Sequence, residues 1–194
     1  MRLLSQNEAI LIDKAQKGDI ESFELLIENY QKKAFNIAYR MLGNLEDAND
    51  VTQEALVKVY RSIGAFRGNS SFSTWLYSIV NNTCIDFMRK NRKVDLIYIE
   101  QEHEGTNYQI DIPDRLNTPE KLLEKNEVKK IIHDGINQLN YDHRNIIILR
   151  DIQGLSYKEI GEILHISLGT VKSRISRARD NLKEIIRDNY NISS

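Results

Sequence analysis

Apolar positions recur every three or four residues over most of the chain, the spacing of amphipathic helices, and few runs alternate as a strand would. Residues 8–17 predict a short helix stopped by Gly18. Asp19 is placed to cap a second helix carrying Phe23, Leu26, Ile27, Tyr30, Ala34, Ile37, Ala38 and Met41 on one face, with Gly43 just past its end, where glycine is favoured. Asn44 can cap a third, striped with Ala48, Val51, Ala55, Leu56, Val59, Tyr60 and Ile63. A fourth runs over residues 72–90, with Phe72, Trp75, Leu76, Ile79, Thr83 and Phe87 on one side, so Trp75 reads as core. The period lapses over residues 95–118 and restarts at Thr118-Pro119-Glu120, with proline at the first helical position. Leu122, Leu123, Val128, Ile131, Ile132 and Ile136 follow. Asp142 is the expected cap of the next helix, whose Ile146-Ile147-Ile148-Leu149 run predicts a buried core, and Gly154 closes it.

The pattern is sharpest from Ser156 to Arg179. Ser156-Tyr157-Lys158-Glu159 has the form of a capping box, and Ile160, Ile163 and Leu164 make one apolar face. After a break at His165-Ile166-Ser167, Ser167 can cap a second helix in which Val171, Ile175 and Ala178 point inward. Lys172, Ser173, Ser176, Arg177 and Arg179 are left outside. A short helix, a tight turn and a basic helix describe a helix-turn-helix able to enter a major groove. Lys172 and Arg177 could reach guanine edges, Ser173 permits close approach, and Arg174 and Arg179 suit phosphates.

These elements predict an all-α chain of two small helical domains, residues 1–94 and 119–194, joined by a flexible linker over residues 95–118. The linker is too long for a loop inside one compact domain. It is acidic, with Asp95, Glu100, Glu102, Glu104, Asp111 and Asp114 against Arg115 alone. No run reaches the roughly 18 apolar residues that a spanning helix needs. A single cysteine, Cys84, excludes an internal disulfide framework and a cysteine-based zinc site and fits a reducing cytoplasm; its place mid-helix reads as a buried thiol. The chain ends at Ser194, soon after its last helix, so no appended sensory domain is expected.

Net charge is only −1, so any nucleic-acid surface has to come from charge distribution. The first half of the third helix carries Glu46, Asp47, Asp50 and Glu54 with no basic residue. Part of this serves the helix dipole, and on charge pattern alone the face reads equally as an ordinary solvated surface or as a docking patch for a basic partner. The following loop, Gly64 to Ser71, holds two glycines, Phe66 and Arg67, which suits a stacked, unpaired base; the alternative is an ordinary turn with Phe66 tucked into the core. The fourth helix presents Tyr77, Ser78, Asn81, Asn82 and Arg89 opposite its apolar face. Between Arg61 and Lys93 six Lys/Arg stand against one acid, Asp86. His103, His133, His143 and His165 lack metal-site spacing, and there is no phosphate-cradling glycine loop or nucleophile motif, so neither an enzyme nor a cofactor is expected.

One family joins these features. The chain resembles the bacterial sigma factors of the extracytoplasmic-function group, within the sigma-70 family. The resemblance rests on Ala38-Tyr39-Arg40-Met41-Leu42-Gly43-Asn44, Glu46-Asp47-Ala48 and Asp50-Val51-Thr52-Gln53-Glu54. It continues through Phe66-Arg67-Gly68, Phe72-Ser73-Thr74-Trp75-Leu76-Tyr77, Asn82-Thr83 and Asp86-Phe87-Met88-Arg89-Lys90. It ends with Gly154-Leu155-Ser156-Tyr157, Glu159-Ile160, Gly169-Thr170-Val171-Lys172-Ser173-Arg174 and Arg177-Ala178-Arg179.

The resemblance implies that Asp47, Asp50, Gln53 and Glu54 dock on the β′ clamp helices of core RNA polymerase. Phe66, Arg67, Asn69 and Ser70, with Tyr77, Asn81, Asn82, Arg89 and Lys90, would melt the minus-ten element and hold a flipped non-template base. The linker would thread the polymerase's active-site and exit channels. Thr170, Lys172, Ser173, Arg174, Ser176, Arg177 and Arg179 would read the minus-thirty-five element, with the C-terminal domain resting on the β flap. An anti-sigma factor, membrane-anchored in many such systems, is a further implied partner, and no small-molecule substrate is implied. Gly161 stands where relatives usually carry alanine, which implies close packing on the recognition helix. The competing reading is a stand-alone dimeric helix-turn-helix regulator, which leaves the acidic third helix and the linker without a role.

Overall fold

The computed structural model describes residues 6–95 and 119–190; beyond Asp95, the expected linker lies outside them. Among the described residues all regular elements are helical: α1 (Gln6–Gln16), α2 (Ile20–Leu42), α3 (Leu45–Ser62), α4 (Phe72–Asp95), α5 (Pro119–Gln138), α6 (Tyr141–Ile147), α7 (Tyr157–Leu164) and α8 (Leu168–Tyr190). One 3₁₀ turn, Ile63–Ala65, follows α3, and one wide π turn, Ile148–Ile152, ends α6.

The polar punctuation acts as the sequence predicts. Asp19 accepts from the Ser22 N–H, and the Ser22 hydroxyl bonded to it holds its carboxyl below the usual range. Gly43 takes the left-handed conformation (φ 76°) and returns its N–H to Tyr39 O at 2.8 Å. Asn44 accepts from the Glu46 and Asp47 N–H groups at 2.8 and 3.2 Å. Asp142, however, does not cap α6. Asn140 does, accepting from the His143 N–H at 3.0 Å, and Asp142 sits within the first turn. Both are short polar side chains, and the chain enters the helix two residues earlier than the apolar run suggested.

Two cores result. Leu26, Ile37 and Met41 of α2 meet Val51, Ala55 and Val59 of α3 and Phe72, Leu76 and Val80 of α4, all fully or almost fully buried. Ile146 to Leu149 meet Ile160, Ile163, Val171 and Ile175 in the second core, as the unbroken isoleucine run demanded. The two halves touch: α4 packs on α7, and Arg144 of α6 donates to Met41 O at 3.4 Å.

The π turn sets up the helix-turn-helix. Gln153 N–H reaches back to Ile148 O at 2.9 Å, and Gly154 (φ 70°) reverses the chain. Arg150 then donates to Leu155 O at 2.7 Å and lies 5.0 Å over the Tyr157 ring, joining the two helices flanking the turn. Ser156 and Glu159 complete the capping box in both directions, at 3.2 and 2.8 Å. Within α7, a Cβ on Gly161 would come 3.0 Å from Ile166 O and 3.7 Å from Val171, so glycine does let the turn and recognition helix close in. His165 ends α7 with φ 55°, the only non-glycine residue of positive φ among those described.

A left-handed residue carrying a Cβ costs about 1 kcal/mol relative to glycine. His165→Gly is therefore expected to raise stability by about that amount in urea denaturation, because the turn needs the conformation and nothing in it needs the ring.

Candidate nucleic-acid interface

Helix α8 is the basic element. Val171, Ile175 and Ala178 are buried beneath it, and Thr170, Lys172, Ser173, Ser176, Arg177 and Arg179 are exposed, as the periodicity predicted. Ser167 caps it, its hydroxyl accepting from the Thr170 N–H at 3.2 Å and meeting the Thr170 hydroxyl at 2.9 Å. The cations differ in their partners. Arg179 is gripped by Asp151 of the π turn, with Nε 3.1 Å from Oδ2 and a second bond from Nη2 to Oδ1. Arg174, half-buried, lies 3.6 Å from Asp142. Among the described residues, Lys172 and Arg177 face no such carboxylate. Between α8 and the start of α6 is an open groove of about 580 Å³ lined by Asn140, His143, Thr170, Ser173, Arg174 and Arg177.

The N-terminal half offers a second surface. The tip of its loop, Arg67 to Asn69, is exposed, with Gly68 at φ 72° making the turn and Ser70 half-buried. Its ends are fixed. Ser71 caps α4, its hydroxyl accepting from the Thr74 N–H at 3.1 Å and meeting the Thr74 hydroxyl at 2.7 Å. Phe66 is buried, its ring 5.5 Å from Phe72 and 5.2 Å from Trp75. Here the expectation of a stacking residue is corrected: an aromatic beside two others gains more by joining the core than by standing in water. On α4, Asn82, Arg89 and Lys90 are exposed, and Asn82 lines a groove of about 470 Å³ with Lys58, Arg61, Thr83 and Asp86.

Tyr77 and Asn81 are also corrected. Both are buried: Tyr77 stands edge-on to Tyr30 of α2 at 6.4 Å and also feels the charge of Glu159 on α7, and Cys84, one turn beyond Asn81, lies near Tyr141 of α6. Local periodicity marks that face as polar and therefore exposed; packing against residues distant in sequence covers it. Cys84 is buried, as expected.

The acidic face of α3 is intact. Asp50, Gln53 and Glu54 are exposed and Asp47 half-buried. Partial burial, then the charges of Asp50 and Glu46, raise the Asp47 carboxyl above its ordinary value. Glu54 is paired with Lys58 at 2.7 Å. A negative surface that strains its own ionisation is relieved by a cationic partner.

A capped helix-turn-helix with free cations, on the same chain as an acid-faced helical domain, defines a DNA-reading transcription protein. The comparisons narrow that class. Residues 26–94 match the sigma-70 region 2 family and residues 129–182 the sigma-70 region 4 family. The chain is 40% identical over 181 residues to the ECF RNA polymerase sigma factor SigW of Bacillus subtilis, covering 91% of this chain and 95% of that one. It is 34% identical over 186 residues to the RNA polymerase sigma-H factor of Pseudomonas aeruginosa, covering 95% and 96%. Its fold is similar to that of CnrH, solved in complex with the cytosolic domain of CnrY, with TM-score 0.66 at 23% identity over 94% of this chain and 99% of that one. The chain belongs to the sigma-70 family, in its extracytoplasmic-function group, whose members direct promoter-specific initiation by RNA polymerase.

Burial pushes the Cys84 thiol and the Tyr77 phenol each up to about 12, from ordinary values of 9.0 and 10.0. Both must stay neutral in the fold, so above about pH 9 the unfolded chain loses these protons first. Stability is expected to be insensitive to these groups below pH 9 and to fall as pH rises from there toward 12. Urea midpoints measured against pH should show the fall, and Cys84→Ala with Tyr77→Phe should lessen it, the remainder coming from Tyr141, whose phenol burial also pushes up.

Proposed function

We propose that the chain is a non-catalytic, cytoplasmic sigma factor that contacts core polymerase and both promoter elements through three separate surfaces. Residues 1–94 form the domain that docks and melts, residues 95–118 a tether through the polymerase channels, and residues 119–194 the domain that reads the upstream element. Asp47, Asp50, Gln53 and Glu54 dock on the β′ clamp helices. The tip residues Arg67, Asn69 and Ser70, with Asn82, Arg89 and Lys90, hold the melted minus-ten strand; Phe66 acts beneath them as an anchor. Lys172, Ser173 and Arg177 read minus-thirty-five base edges, Thr170 and Ser176 line the approach, and Arg174 and Arg179 serve phosphates. An anti-sigma factor is the inhibitory partner, in keeping with the complex of the sigma factor RpoE with the anti-sigma factor NepR from Bartonella quintana, a fold similar to this one.

The observation that carries this reading is the exposed acidic face of α3, with the Asp47 carboxyl raised by partial burial and then by the charges of Asp50 and Glu46. A regulator that binds DNA alone has no use for it, and a factor that must sit on a basic polymerase surface does.

Transcription from a responsive promoter with purified core polymerase, with and without the protein, tests the reading; no gain in initiation would sink it. Reversing Asp50 and Glu54 to lysine is expected to weaken core binding at least tenfold while duplex binding is unchanged, as two charge-assisted contacts are lost. Lys172→Ala or Arg177→Ala should each cost about 1–3 kcal/mol of discrimination for the preferred upstream sequence, measured by competition between duplexes.

A further inference from the structure

The loop between α3 and α4 is braced by α1, a helix distant from it in sequence. Gln16, the last residue of α1, lies ahead of the stretch matched by the region 2 family, residues 26–94. Its side-chain amide Nε2 donates to Ile63 O at 3.0 Å and to Phe66 O at 2.8 Å, across sequence separations of 47 and 50 residues. Ile63 O also accepts the Phe66 N–H at 3.0 Å, closing the 3₁₀ turn. Phe66 O is the last carbonyl before the exposed tip Arg67 to Asn69, so whatever holds it sets the direction in which the tip leaves the core. Helix α1 is itself fixed, with Ile12 and Ala15 buried against that core.

We infer that Gln16 is a positioning residue for promoter opening: its amide locks the loop's N-terminal end as Ser71 locks the other, so that Arg67, Asn69 and Ser70 are presented in one arrangement. The inference rests on the reading that this tip meets the melted strand. A 3₁₀ turn has poor intrinsic hydrogen-bond geometry and gains most from an outside donor. Ordering the tip beforehand lowers the entropy lost when a strand is captured.

Two variants of the full-length chain separate the donor from the shape. Gln16→Glu keeps the length but faces two carbonyl oxygens with a carboxylate, and Gln16→Lys restores an N–H donor. Tryptic cleavage after Arg67, followed without polymerase, is expected to quicken about tenfold in Gln16→Glu and to return close to the original rate in Gln16→Lys. With core polymerase and promoter, permanganate reactivity of minus-ten thymines should appear about tenfold more slowly in Gln16→Glu, with core affinity and melting temperature little changed, and Gln16→Lys should recover most of the rate. The inference is overturned if cleavage and opening are unaltered, if the lysine variant fails as the glutamate does, or if opening falls only in proportion to core affinity or fold stability. Quicker cleavage with unaltered opening would retain the brace and overturn its role at the promoter. Absence of opening by the unaltered protein would refute the sigma reading itself, leaving the cleavage result to judge the brace.

Discussion

Helix α4 is wanted on two sides, and much of the described structure follows from that. One face, with Phe72, Leu76 and Val80, fills the core with α2 and α3, while Tyr77, Asn81 and Cys84 lie toward the second half of the chain. The first contact is apolar and continuous. The second includes polar groups, and Asn81 Oδ1 is buried with no hydrogen-bond partner among the described residues. Such an atom costs about 1–3 kcal/mol when hidden from water. The contact between halves therefore carries a polar cost at Asn81.

The elements themselves were legible because each boundary is marked by a residue whose chemistry acts locally. Asn44, Ser156, Ser167, Gly43 and Gly154 all do in the structure what their side chains, or lack of one, do in any helix end. Asn140 was passed over for Asp142 because two residues of the same capping type stood within one turn, and only the chain path chooses between them. The inward and outward faces of α8 were legible for the same local reason, since both are set by the 3.6-residue period.

Long-range pairing left no such mark. Nothing near Tyr77 or Asn81 announces a cover distant in sequence, and nothing near Gln16 announces two carbonyls 47 and 50 residues away. The Phe66 loop lay between: its composition fits either a stacking platform or a buried anchor, and the aromatic pair of Phe72 and Trp75 decided for the anchor. Gly161 was legible in part. A glycine inside a helix is costly, so it had to be there for proximity, and the 3.0 Å approach to Ile166 O shows to what.

The paired arginines of α8 bear on how binding responds to ionic conditions. Nucleic-acid affinity falls with salt because each cation that meets a phosphate sets free a small ion from the polymer's condensed atmosphere. If Arg179 serves a phosphate as proposed, it would reach that encounter with Asp151 already bound to it, so the phosphate would replace one fixed anion with another and leave a carboxylate uncompensated nearby. An ion drawn to Asp151 would then offset the one released from the duplex. A helix rich in formal positive charge can in this way carry a shallow salt dependence, and its grip on DNA varies less with the ionic strength of the cell than a count of its basic residues would suggest.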